Sequence, residues 1–222
     1  MSFKHDAVVV EAKGTHTASI IWLHGLGADG YDFEPIVPEL GLAADAGIRF
    51  VFPNAPMMPV TINGGMTMRA WYDVRSANLR EFEDEKTIVN SSILVEQYIT
   101  HEIENGINAD RIILAGFSQG GAIALHCGLR FEQSLAGIMA LSTYLPLPQK
   151  LEDEASAANK ATPIFMGHGL YDPVITVDQG RNSSKALEAA GYNVEFNEYT
   201  MEHAVCLEEI KAIGAWIKQR LT

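Results

Sequence analysis

Short aliphatic runs recur along the chain at intervals that helix-period segments fill. Ala7 to Val10, Ser19 to Leu23, Ile48 to Phe52, Arg111 to Ala115, Leu135 to Leu141, Pro163 to Gly167 and Asn193 to Tyr199 all have strand character. Several are apolar at consecutive positions, the pattern of a strand covered on both faces. Between them, Thr87 to Ile103 carries apolar residues at three- and four-residue steps, with Gly106 marking its end. Val177 to Ala190 stops at Gly191, and Leu207 to Leu221 closes the chain. Strands alternating with helices predict an α/β protein with a mostly parallel sheet covered by helices on both faces. Right-handed crossovers then gather the loops that follow the strands along one carboxyl edge. No repeat or linker interrupts the pattern, so one domain over residues 1–222 is expected.

The segment Pro53 to Arg80 breaks the rhythm. Pro53, Pro56, Pro59, Gly64 and Gly65 argue against a regular element, yet Met57, Met58, Val60, Ile62, Met66, Met68 and Trp71 make it apolar. Long loops in compact domains tend to be functional or disordered, and this one is too hydrophobic for disorder. It is either an irregular cover on the sheet edge or the lid or wall of an apolar pocket. It could equally serve a subunit contact, which leaves a homodimer open.

One junction in the pattern carries chemistry. The run Arg111 to Ala115 leads into Gly116-Phe117-Ser118-Gln119-Gly120-Gly121, and a small-residue helical segment follows from Ala122 to Cys127. A G-x-S-x-G turn between strand and helix is a nucleophile elbow. The glycines permit a turn too tight for side chains, and the helix start presents free N–H groups to an anion formed beside Ser118.

A serine hydroxyl needs a base, and the base needs a group that fixes its tautomer and stabilises its charge. In this class the order along the chain is Ser, then Asp or Glu, then His. Asp172 follows the strand at Pro163 to Met166 through Gly167-His168-Gly169-Leu170-Tyr171, on a loop at the carboxyl edge. The competing role for Asp172 is a helix cap, for which Asp178 is the more natural candidate. His203 follows the last strand and precedes the last helix, as the topology requires. His168 is its rival, while His5 and His16 belong to a terminal hairpin, His101 to an exposed helix and His126 to the elbow helix.

Acyl transfer also needs donors for the developing oxyanion, worth about 3–4 kcal/mol each. One is the Gln119 amide, just after the nucleophile. The other is assigned to the Leu26 amide in the turn His24-Gly25-Leu26-Gly27 after an early strand, with His24 bracing that loop. The full dinucleotide-binding pattern G-x-G-x-x-G fails at this turn.

Composition narrows the partners. The 222 residues carry a net charge of −12, which argues against nucleic acid and against attraction to anionic lipid. No apolar stretch is long enough to span a bilayer and no signal-peptide pattern opens the chain, so a cytoplasmic protein is expected. Two cysteines make no disulfide framework, and no Cys/His pair has zinc spacing.

Leu23-His24-Gly25-Leu26-Gly27, Phe52-Pro53-Asn54-Ala55-Pro56, Trp71-Tyr72-Asp73, the Ser118 elbow, Leu141-Ser142-Thr143-Tyr144-Leu145-Pro146, Gly167-His168-Gly169 with Asp172, and Tyr199-Thr200-Met201-Glu202-His203 occur in this order. Together they resemble the phospholipase/carboxylesterase family of α/β-hydrolases, which includes bacterial carboxylesterases and eukaryotic acyl-protein thioesterases. The segment Pro59 to Gly65 leans towards the bacterial branch. The resemblance implies a Ser118–His203–Asp172 triad, Leu26 and Gln119 amides at the oxyanion, and neither metal nor organic cofactor. It also implies an acyl site bordered by the Pro53 to Arg80 loop and the Tyr144 region, with Met66, Trp71, Tyr144 and Val174 as substrate-binding residues. Tyr144 stands where the thioesterases usually have Trp. The expected activity is hydrolysis of carboxylic esters with short to medium acyl chains through an acyl-enzyme. The alternative is an acyl-protein thioesterase or lysophospholipase acting on longer chains, and the remote one a silent hydrolase fold used for binding.

Overall fold

The computed structural model describes residues 6–76 and 82–221. Seven strands form the main sheet: β1 (Ala7–Val10), β2 (Ala18–Leu23), β3 (Ile48–Pro53), β6 (Ile112–Phe117), β7 (Gly137–Leu141), β8 (Ile164–Gly169) and β9 (Val194–Tyr199). Their order is β1-β3-β2-β6-β7-β8-β9, with β1 antiparallel to β3 and every other pairing parallel. The helices are α1 (Glu85–Glu104), α2 (Gln119–Arg130), the single turn α3 (Leu151–Glu154), α4 (Val177–Ala189) and α5 (Leu207–Leu221).

The uninterrupted apolar runs are explained by burial on both sides. In β2, Ile21 and Leu23 face a cluster with Ile88, Val95 and Ile99 of α1 and Ile123 of α2. Ile20 and Trp22 face the other layer, with Ile213, Trp216 and Ile217 of α5. Each face of this strand alternates with the period of two that strand geometry imposes, and each finds a helix.

The sheet order reverses between β2 and β6. The chain first winds outward from β2 through β3, then α1 carries it back to β6 on the other side of β2. A crevice at the carboxyl ends of two such strands is where open α/β sheets hold ligands. Here it receives the loop after β2 and the elbow after β6.

Two expectations fail. The first strand pairs with β3, as Val8 opposite Phe52 and Val9 opposite Val51, so there is no terminal hairpin with β2. His16 instead contacts Ser19 at 2.9 Å, and His5 lies outside the described residues. The Pro53 to Arg80 segment is more regular than its glycines and prolines suggest. β4 (Met57–Val60) and β5 (Met66–Arg69) form an antiparallel ribbon with Met57 opposite Arg69. Pro59 is tolerated because a two-stranded ribbon has a free edge on each strand. Gly64 and Gly65 close the turn at φ 66° and 78°. Residues 77–80 of the segment lie outside the described residues.

Candidate active site

Ser118 sits between β6 and α2 at φ 54° and ψ −120°, a backbone conformation that side chains rarely adopt. Surrounding bonds hold it there. The Ser118 amide donates to the Leu141 carbonyl at 2.8 Å, and the Thr143 hydroxyl donates to the Ser118 carbonyl at 2.6 Å. A side chain at Gly120 would meet the Leu23 carbonyl oxygen at 2.5 Å, and one at Gly116 would strike the Gly120 carbonyl. Both glycines are therefore demanded by the close approach of β2, β6 and α2.

Three loops bring the predicted residues together. In the neutral tautomer of His203, the Ser118 hydroxyl donates to Nε2 at 2.9 Å, while Nδ1–H donates to Asp172 Oδ2 at 2.7 Å. Phe117 flanks the His203 ring, with centroids 4.8 Å apart. Asp172 divides its work between its two oxygens. Oδ1 accepts from the Val174 and Ile175 amides at 2.8 and 2.9 Å, which turns the chain towards α4 and leaves Oδ2 for histidine. Burial of Asp172 disfavours its charge, but the hydrogen bonds from His203 and the two amides outweigh burial and hold the carboxyl below its ordinary range.

Asp178 is not the helix cap. Thr176 occupies that position and forms a capping box with Gln179. His168 is a support: its Nε2–H donates to the Ile175 carbonyl at 2.7 Å, with Asp172 Oδ2 3.6 Å away. Burial keeps its pKa below the usual value.

His24 braces the loop after β2, as expected. Its Nδ1–H donates to the Gly25 carbonyl at 2.7 Å, and Nε2 accepts from the Ala55 amide at 3.0 Å. Burial lowers its pKa, which favours this neutral, doubly engaged form. Leu26 and Gln119 both line the cleft that contains Ser118. Gln119 is the first residue of α2, where a helix leaves its amides without internal partners.

That cleft encloses about 530 Å³ and is lined largely by apolar groups, among them Ile62, Val74, Pro173 and Val174. This is within the usual range for small-molecule sites. Of the four proposed substrate contacts, only Val174 lines it. Met66 projects from the ribbon and is 64% exposed, while Ile62 from the same ribbon turn reaches the cleft. Trp71 is fully buried and its indole N–H donates to the His24 carbonyl at 2.8 Å. Tyr144 is buried behind Tyr72, their hydroxyls 3.1 Å apart, and Tyr72 faces the cleft. Trp71 and Tyr72 pack in the same core cluster, and of the two Tyr72 also reaches the cleft wall.

Sequence reasoning missed the Gln119 side chain. Its Oε1 accepts from the Trp71 amide at 2.7 Å and its Nε2 donates to the Tyr72 carbonyl at 2.6 Å. A bifunctional amide at the elbow, beside a long irregular segment, was the available signal. Among the described residues no His, Cys, Asp and Glu cluster could hold a metal ion, and no helix is long and apolar enough to cross a membrane.

The phospholipase/carboxylesterase family pattern matches residues 4–221. The chain belongs to that family. The acyl-protein thioesterase 1 of Neurospora crassa is 41% identical over 227 residues, covering 98% of this chain and 93% of that protein. Among solved structures, Arabidopsis thaliana SOBER1 superposes with a TM-score of 0.88 at 33% identity, covering 93% of this chain and all of that one. Zea mays acyl-protein thioesterase 2 gives 0.85 at 30% identity over 99% of this chain and all of its own. This phospholipase/carboxylesterase family member has the α/β-hydrolase fold and is a serine hydrolase.

Proposed function

We propose that this protein hydrolyses acyl thioesters and esters through an acyl-enzyme on Ser118, and that acyl-protein thioesterase activity describes it better than short-chain carboxylesterase activity. The observation that carries the chemistry is the continuous hydrogen-bonded line from Ser118 through His203 to Asp172. The observation that favours the thioesterase reading is the set of relatives bearing that name at full length. Tyr144 in place of Trp is a weak guide to chain length, because it stands behind Tyr72, which lines the cleft.

In this reading Ser118 Oγ attacks the acyl carbonyl as His203 Nε2 accepts its proton. Asp172 Oδ2 holds Nδ1–H and stabilises the imidazolium. The Leu26 and Gln119 amides receive the oxyanion. The C–S or C–O bond then breaks, His203 returns its proton to the departing thiolate or alkoxide, and water repeats the sequence on the acyl-enzyme. The acyl chain lies along Ile62, Tyr72, Val74 and Val174. One hydrolase domain suffices for all of this, and unpaired Cys127 and Cys206 suit a cytoplasmic setting.

The test is labelling of Ser118 by a fluorophosphonate probe, paired with rates on acetyl, octanoyl and palmitoyl substrates as matched esters and thioesters. Labelling with kcat/KM rising towards long-chain thioesters supports the proposal. Ser118→Ala with more than a small residue of activity overturns the nucleophile, and a preference for short oxygen esters restores the carboxylesterase reading.

A further inference from the structure

The cleft is chemically lopsided. Ile62, Tyr72, Val74, Pro173, Val174 and Ile175 make much of its lining apolar, and Asp32 contributes a carboxylate that the triad does not use. Among the described residues no lysine or arginine lines the cleft. Among the described residues the Asp32 carboxylate has no ion-pair partner, and Asp29 lies close enough to act on its charge.

The loop that carries Asp32 packs against the site through the next residue. Phe33 packs on Phe117 with ring centroids 5.4 Å apart, and Phe117 packs on His203. Asp32 also shares with Leu26 the loop that follows β2. Asp32 thus lines the same cleft as Ser118 and His203. An acyl chain gains nothing from a carboxylate and is served by the apolar lining, which leaves the acidic part of the cleft to the leaving group.

We propose that Asp32 is a specificity-determining residue that selects substrates whose departing thiol or alcohol carries a positive charge. This inference rests on the acyl-enzyme reading of Ser118. A cationic ammonium or guanidinium near Asp32 gains Coulomb attraction, and an anionic leaving group meets repulsion from Asp32 and Asp29 together. Partial burial raises the Asp32 carboxyl above its ordinary range, His24 opposes that rise and Asp29 adds to it. The residue as a whole remains exposed, so a cation entering the cleft from solvent can reach it.

The experiment uses three octanoyl thioesters with the same acyl group: thiocholine (cationic), mercaptoethanol (neutral) and 3-mercaptopropionate (anionic). Active sites are first counted with the fluorophosphonate probe, and ratios of kcat/KM are taken within each enzyme sample so that the active fraction cancels. The wild-type protein should rank them cationic, neutral, anionic. Asp32→Asn should reduce the cationic-to-neutral ratio about two- to fivefold, the range of a solvent-exposed ion pair, and Asp32→Lys should reverse the ranking. Raising the salt concentration should narrow the wild-type preference and leave the Asn variant unmoved. A wild type indifferent to leaving-group charge, or a preference that persists in Asp32→Asn, overturns the assignment. Absence of probe labelling in the wild type would instead overturn the acyl-enzyme reading beneath it.

Discussion

The side chain of Gln119 grips the backbone around Trp71, accepting the Trp71 amide at 2.7 Å while donating to the carbonyl of the next residue at 2.6 Å. In the proposed mechanism the same residue also offers its own amide to the oxyanion. One residue thus ties the long segment that builds the cleft wall to the turn that carries the nucleophile. Gln119→Leu would leave a buried N–H and a buried carbonyl unpartnered, at about 1–3 kcal/mol each. We expect a melting temperature lowered by several degrees and kcat/KM lowered at least tenfold. Thermal unfolding monitored beside ester hydrolysis checks this; unchanged values in both would show that the grip is dispensable.

Asp172 permits a sharper separation of structure from chemistry. In Asp172→Asn the retained Oδ1 still accepts the Val174 and Ile175 amides, so the turn survives. The new amide faces His203 Nδ1 and favours the tautomer with its proton on Nε2, which cannot accept from Ser118. We expect kcat to fall by about 10³–10⁴, as for the corresponding change in a serine protease, with the melting temperature near neutral pH within a few degrees of wild type. The lowered carboxyl pKa adds a pH signature. Its contribution to stability is complete above the ordinary value of 3.8 and is lost as pH falls through the lower folded value. The Asn variant should lack that part of the acid-induced loss, which unfolding titrations below pH 4 would reveal.

These two residues mark the boundary of what the sequence discloses. Ser118, Asp172 and His203 were legible because each follows an apolar run, and a parallel sheet delivers all such loops to one edge. The glycine pattern of the elbow was legible because no other residue fits between β2 and α2 at Gly120. By contrast, Gln119 looked like a backbone donor alone, since nothing local shows where its side chain points. Trp71, Tyr144 and Met66 looked like pocket residues because hydrophobicity alone does not separate a cleft wall from a core position, as at Trp71 and Tyr144, or from an exposed one, as at Met66. The pairing of β1 with β3 was hidden for a similar reason. It depends on contacts as distant along the chain as Ala7 with Pro53, whereas the nearer β2 is already paired on both edges.

The ribbon supplies a paired prediction. Ile62 lines the cleft and Met66, four residues later, is exposed. Ile62→Ala should raise KM for long acyl chains several-fold with little change for acetyl substrates, because only the long chain reaches that wall. Met66→Ala should leave both within about twofold. Equal effects of the two substitutions across an acyl-length series would show that the ribbon repositions during binding.

Glu209 offers a test of the scaffold behind the site. Its side chain lies in the first turn of α5, packed against Gly167, fully buried, with neither carboxylate oxygen hydrogen-bonded. Burial pushes its pKa from the ordinary 4.5 up to about 8. The folded protein therefore holds a proton that the unfolded chain releases at lower pH. Below 4.5 the residue costs nothing on this account. Between 4.5 and about 8 the unfolded state is increasingly favoured by about 1.4 kcal/mol per pH unit, and above 8 the penalty stops growing. Glu209→Gln keeps the shape and removes the titration. We expect the variant to gain stability over wild type steadily from pH 5 to pH 8, then to hold a constant margin. Denaturant unfolding of both proteins at several pH values measures that margin directly. A difference that does not change with pH would mean that Glu209 is ionised in the folded protein, with a partner for its charge.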